Sequence, residues 1–287
     1  MFKKILLIIL SCALIFTLCA CSNTQSEDSV LVKDSGESFR LNETSITKPA
    51  HFTHDGVNVA LNDILYEELV TWFSFDLKND TDKTVNILVT DLSVNGIMHQ
   101  GIMSEVIGAK SDKKAYFEIS NEWFCDFSVK TVKEIEFIVR LLDENNVEFA
   151  SSDALNVVTN TSAKYVQERK NDGTVLYSSN GALIVAQGLE KSKLSDDTEL
   201  RFYIENNTDA HFSVIANEVY VNDKPFAPAF VVSVGANKCA SESLLFTKDE
   251  LTNAKIDKIT SAKASFTAID KNSGTIFKTE LLDIPIK

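Results

Sequence analysis

The chain is short of the residues that break regular structure. Its 287 positions hold four prolines and ten glycines, which excludes collagen-like and proline-rich low-complexity sequences. Positive charge is scarce too: 28 Lys and Arg stand against 41 Asp and Glu, a net charge of −13. A surface of that sign repels phosphate backbones, so nucleic acid is not an expected partner. Catalytic signatures are missing: there is no G-x-S-x-G elbow, no Walker loop, no H-E-x-x-H and no S-x-x-K on a helical pattern. The chain therefore reads as a non-enzyme without a cofactor. What is present is apolar material, 44% hydrophobic residues with 9% aromatics, enough for two cores in a chain of this length.

The one long apolar run is at the amino end. Met1 to Lys4 is a short basic region, and Ile5 to Leu18 is apolar but too short for a comfortable bilayer span. It runs into Leu18-Cys19-Ala20-Cys21, which resembles the lipobox of bacterial lipoproteins. The resemblance implies cleavage between Ala20 and Cys21, so that residues 1–20 are a lipoprotein signal peptide, and attachment of diacylglycerol, with further acylation such as palmitate, through Cys21. Each buried methylene contributes about 0.8 kcal/mol, so two or three acyl chains hold a protein on a membrane durably. The expected location is the outer face of the cytoplasmic membrane, or an outer membrane if the cell has one. Loss of Lys3 and Lys4 with the leader takes the mature charge from −13 to −15. Residues 21–50 are rich in Ser, Thr, Asn, Asp and Glu, and read as the lipidated cysteine and a disordered tether.

Beyond the tether the sequence is written twice. FSFDLKNDTDKTVNILVTDLSVNG from Phe73 returns as LRFYIENNTDAHFSVIANEVYVND from Leu200, and the offset of 127 positions holds to Val157 and Ile284. A repeat this long is a duplicated domain rather than a solenoid. Within each copy the period is two, as in Phe73, Phe75 and Leu77 or Ile135, Phe137, Val139 and Leu141. These are half-buried strands. Asn79-Asp80-Thr81-Asp82 and Asn206-Asn207-Thr208-Asp209 supply Asx turns, and Asn95-Gly96 suits a tight primed hairpin better than Asn222-Asp223 does. Thr247-Lys248-Asp249-Glu250, aligned with Ser120 to Trp123, predicts a helical turn in each copy. The expected fold is all-β, two tandem immunoglobulin-like β-sandwich domains over residues 51–160 and 174–287, with 161–173 as linker. The lipobox, polar tether and tandem N-x-T-D and V-N-G units resemble Firmicute-type lipoproteins with Ig-like domains of unknown function. Asp223 departs from that pattern.

Candidate sites are few. His51 and His54 could meet on a helix, but Phe52-Thr53 beside Gly56 argues against one, and two ligands do not close a metal site. The Asn79 to Asp82 loop lacks EF-hand spacing. Past the leader Cys21, Cys125 and Cys239 remain, and Cys125 and Cys239, unmatched by the repeat, are expected as thiols rather than a disulfide. Met98 and Met103, Trp123, and Phe226 and Phe230 gather near turns, where an exposed cluster would make a binding patch. Closing the ends of a sandwich uses the same residues, and that is the stronger expectation.

The functional expectation is a membrane-tethered, extracytoplasmic binding module for a protein or envelope component. The alternatives are a ligand- or cation-binding accessory protein of a transporter or sensor and, more remotely, an envelope hydrolase. Cys21→Ala should leave an unprocessed precursor that takes up no radiolabelled palmitate. Normal processing and labelling of that variant would remove the anchor.

Overall fold

The alternating segments form strands, and a computed structural model describes them over residues 39–192 and 195–286. The leader, Cys21 and the tether to residue 38 lie outside the described residues. In chain order the first unit comprises β1 (Ile46–Lys48), β2 (Ala50–His54), β3 (Val57–Tyr66), β4 (Val70–Asn79), β5 (Val85–Val94), β6 (Ile97–Met98), β7 (Met103–Ile107), β8 (Ser111–Ser120), α1 (Asn121–Asp126), β9 (Glu134–Leu142), β10 (Glu148–Ser151) and β11 (Leu155–Thr159). One sheet has the order β2-β3-β4-β8, and the facing sheet centres on β5 and β9, with β6 and β7 on one side and β10, β11 and β1 on the other. The chain changes sheet between β4 and β5, β7 and β8, and β8 and β9, which is the immunoglobulin-like sandwich arrangement.

The second unit repeats the order with β12 (Thr174–Ser179), β13 (Ala182–Lys191), β14 (Thr198–Asn206), β15 (Phe212–Val221), β16 (Lys224–Phe226), β17 (Val231–Val234), β18 (Cys239–Phe246), α2 (Lys248–Asn253), β19 (Ala262–Ile269), β20 (Thr275–Lys278) and β21 (Leu282–Ile284). Its sheets are β12-β13-β14-β18 and β16-β15-β19-β20, with β17 on β15 and β21 on β19. Inward side chains of the strands meet between the sheets. Phe75 lies edge-on to Phe137 with centroids 5.3 Å apart, and Phe202, 127 positions after Phe75, lies 5.4 Å from Phe266. Both helical turns form as expected: Ser120 caps α1 through its hydroxyl, and Thr247 with Glu250 makes a full capping box on α2.

The residues shared by the two units are hydrogen-bond clamps. Asn79 is fully buried. Its Nδ2 donates to the carbonyls of Lys83 and Gly108 at 2.7 and 2.9 Å, while its Oδ1 accepts from the Thr81 amide and hydroxyl at 3.0 and 2.7 Å. Asn206 is likewise fully buried and does the same with Ala210, Val234 and Thr208. Asn95 donates to Thr131 O and accepts from the amides of Lys133 and Glu134. Its counterpart Asn222 ties Lys258 O to the amides of Thr260 and Ser261. The hairpin after β15 forms although it has no glycine, Asn222 and Asp223 both taking positive φ of 49° and 60°.

Three expected boundaries are corrected. Residues 39–50, expected to be tether, belong to the first unit: Leu41 is buried, the Asn42 amide bonds Lys130 O, and β1 pairs with β11. Residues 161–173 are not a free linker. Gln167 bonds Asn95 and the Phe127 carbonyl, and Arg169 pairs with Glu205 at 2.8 Å and donates to Asn237 O at 2.8 Å. Nor do the cores separate at 160 and 174, because Val185, Tyr203 and Cys239 pack into the first cluster and Met98 into the second.

The units are joined edge to edge. Cys239 N donates to Gly96 O at 3.0 Å, a parallel bridge between β6 and β18 that runs the β5–β9 sheet into the β18-β14-β13-β12 sheet. Gln100 exchanges two hydrogen bonds with the Ser233 backbone, and Lys238 pairs with Glu136 at 2.6 Å.

Replacing Asn79 or Asn206 with Ala leaves two carbonyls and two threonine donors without their partner at a buried site, a loss of about 2–4 kcal/mol for each. Urea denaturation should show this, and a shift below about 0.5 kcal/mol would mean that water replaces the clamp.

Candidate functional site

Strand periodicity decides the histidine pair at once. His51 and His54 both lie on β2, where an odd separation places them on opposite faces. His54 sits beside Asp55 at 3.4 Å and stacks on Phe52. In the Asn79 to Asp82 loop the acidic side chains already face cations, Lys78 to Asp80 at 2.7 Å and Lys110 to Asp82 at 3.1 Å. Among the described residues no three His, Cys, Asp or Glu are grouped closely enough to hold a metal ion. Cys125 and Cys239 are not joined in a disulfide, Cys239 is buried, and burial pushes its thiol pKa up. Among the described residues no helix is long and apolar enough to cross a membrane.

The apolar residues near the turns divide. Met98, Met103 and Phe230 are buried at 2%, 6% and 3% exposure. They fill the sandwich cores, which corrects their reading as a binding patch. Phe226 is half-buried against Phe246, 5.6 Å away. Trp123 is also half-buried, held on α1 by edge contacts with Phe124 and His99 at 5.1 and 5.5 Å and by a tilted contact with Phe127 at 4.9 Å.

Trp123 borders a cavity of about 300 Å³ where α1 of the first unit faces the outer side of β13, β14 and β18 in the second. Glu122, Trp123, Asp126 and Phe127 form one wall, and Glu190, Glu199, Arg201, Ser241, Glu242 and Ser243 the other. A second hollow of about 290 Å³ continues it past Asp126 and Arg201 toward Lys170 and Asp172. Five carboxylates thus meet one guanidinium in the first cavity, and Arg201 is already paired with Glu190 at 2.9 Å. Burial, with the nearby Glu199 charge adding to it, raises the Glu242 pKa. Its Oε1 accepts from the Ser243 amide at 2.9 Å. No histidine or cysteine lines either cavity.

Only Trp123 among these residues stood out in the sequence. Glu190, Glu199 and Arg201 lie on outward strand positions, where charge is the ordinary solvated state and signals nothing. Glu242 differs: it pairs with Phe202 on the inward phase of β18, between Ala240 and Leu244, and a carboxylate on that apolar phase is a signal the sequence carries. What gathers them into a site is the other unit standing over them.

No protein-family model matches the chain, and no curated protein matches it. Several solved structures are similar at low score, among them three of unrelated kinds. The YadV chaperone matches at 13% identity over 72% of this chain and 90% of its own, with a TM-score of 0.23. Red sea bream transglutaminase matches at 9% identity over 82% of this chain with a TM-score of 0.24. The Amycolatopsis orientalis exo-chitosanase CsxA matches at 14% identity over 72% of this chain, also at 0.24. The matches span only 32% of the transglutaminase and 25% of the chitosanase. At these scores none of them carries an argument.

The support beneath Trp123 is pH-sensitive. His99 packs between Phe117 and Trp123, each with ring centroids 5.5 Å away, and its Nδ1 accepts from the Gly101 amide at 3.0 Å. A Cβ at position 101 would stand 2.7 Å from the ring, so the close approach requires glycine. Burial lowers the His99 pKa to about 4. The unfolded chain, with a pKa of about 6.5, takes up the proton first. The neutral ring's contribution is thus full above about pH 6.5 and is lost as pH falls toward about 4, roughly 3 kcal/mol at most. Urea stability should fall less between pH 7 and pH 4 in His99→Phe than in the wild type. Identical pH profiles would show that His99 plays no part.

Proposed function

We propose that this chain is a membrane-tethered extracytoplasmic lipoprotein that binds rather than catalyses, and that its small-ligand site is the acidic cleft beneath Trp123. The observation that carries the reading is the pairing of an aromatic wall with five carboxylates in one cavity between the units. Aromatic faces and carboxylates together favour an organic cation, whose charge is spread over a size that fills such a space. A bare metal ion would need its ligands drawn tightly together, which the described residues do not provide. With no histidine or cysteine in the lining, no nucleophile there is activated by an imidazole base. The anchoring half of the proposal rests on the Leu18 to Cys21 pattern.

Calorimetric titration with spermidine as the probe tests the site. Binding should weaken as salt is raised. It should fall by about tenfold in Trp123→Ala, through loss of cation–π contact and wall packing together, and by about fivefold in Glu199→Gln. Heats indistinguishable from dilution, or variants that bind like the wild type, would overturn the cleft as a cation site.

A further inference from the structure

The face that lines the cleft in the second unit has a counterpart in the first, and its chemistry is reversed. Leu65 on β3 pairs across to Trp72 on β4, which pairs to Glu118 on β8. The adjoining row is Asp63, Ser74 and Tyr116. Cross-strand partners point to the same side of a sheet. Phe73 and Phe117 point inward and are buried, so Leu65, Trp72 and Tyr116 occupy the outer face. Trp72 and Tyr116 meet edge to face with centroids 6.1 Å apart. Leu65 is 39% exposed, Tyr116 45%, and Leu69, on the loop that joins β3 to β4, 71%.

At the equivalent positions of the second unit stand Glu190, Glu199 and Ser243, all of which line the cleft. In the second unit, then, these positions are polar, and the apolar residues farther along the same face, Val185, Tyr203 and Cys239, are packed against the first unit. In the first unit the same face carries leucine, tryptophan and tyrosine where alternation calls for polar residues. Acidic side chains rim it: Asp63, Glu67, Glu68 and Glu118 share the face or its adjoining loop. The nearest cation along the face, Lys114, is already paired with Asp76 at 3.1 Å.

We infer that the outer face of β3, β4 and β8 in the first unit is a docking surface for a partner protein segment that is both apolar and cationic. The apolar centre supplies burial, and the acidic rim selects basic side chains at its border. The repeat supports protein as the occupant, because the apolar part of the same face in the second unit is already packed against a folded unit. An anionic membrane surface would be repelled by this rim. The surface is separate from the cleft, and the two stand or fall independently.

The test is fluorescence anisotropy of a labelled synthetic peptide alternating lysine and leucine, titrated with the full chain in non-denaturing detergent. Phosphatidylglycerol in the same micelles and a soluble chitin oligosaccharide serve as competitors. The peptide should bind. Leu69→Ser and Tyr116→Ser should each weaken it about fivefold, Glu118→Lys should weaken it further, and Glu199→Gln in the cleft should leave it unchanged. These exposed positions make no core contact, and unchanged urea midpoints would show that the variants are folded. Equal affinity in all the surface variants, loss of binding in Glu199→Gln, or displacement by the lipid or the oligosaccharide would overturn the proposal.

Discussion

Each sandwich depends on one buried asparagine at the end of its second long strand. Asn79 and Asn206 each hold two carbonyls and one threonine, joining the turn after β4 or β14 to the return of the chain before β8 or β18. A side-chain amide suits this task because it both donates and accepts in one plane. Aspartate would present an oxygen to the two carbonyls, and a threonine is too short to span them. With that corner fixed, β4 and β5 enter opposite sheets in the register that turns Phe75 and Ile87 to the core, where both are fully buried. A second asparagine, Asn95 or Asn222, binds the far hairpin to the segment leading into β9 or β19. Two amide clamps per unit thus set the crossings on which the sandwich is built.

The union of the units depends on how the clamps expose the hairpin. Once Asn95 is tied inward to Thr131 and Lys133, the backbone at Gly96 is left at the rim, and its carbonyl meets Cys239 N. Met98, next in the strand, enters the second core, while Tyr203 and Cys239 enter the first. The cleft follows from the same geometry, because seating the hairpin against β18 carries α1 to a place opposite the outer face of β14. Binding chemistry here is therefore a product of docking two scaffolds rather than of either one alone.

The fold was legible because it is periodic. Alternation in Phe73 to Leu77 and Ile135 to Leu141 marked strands, N-x-T-D marked the corners, and Thr247 to Glu250 marked a cap. The repeated asparagines were legible as turn formers, yet their larger role, bridging segments about thirty residues apart, cannot be read from local sequence. The asparagine hairpin in the second copy was expected to be the poorer turn. It forms with Asp223 at positive φ, a conformation that costs about 1 kcal/mol in a non-glycine residue, because Asn222 is secured by three backbone partners. The candidate site was mostly hidden. Glu199 looks like any solvated strand charge until another unit faces it, although Glu242 interrupts the apolar phase of Ala240, Leu244 and Phe246. Trp72 was the opposite case: it falls on the polar phase of its own strand, beside Ser74 and Asp76, and that misplacement could have been seen in the sequence.

The edge that joins the two units is not offered a second time. Ile97 and Met98 of β6 offer a small apolar rim with the Gly96 carbonyl beside it to receive Cys239 N, whereas the matching β16 presents Lys224 and Pro225, both exposed. Proline brings no amide hydrogen to a sheet edge, and a lysine there resists burial. The same hairpin edge that in the first unit is built to accept a neighbouring strand is in the second unit a blunted margin, so two copies of one scaffold carry edges of opposite character.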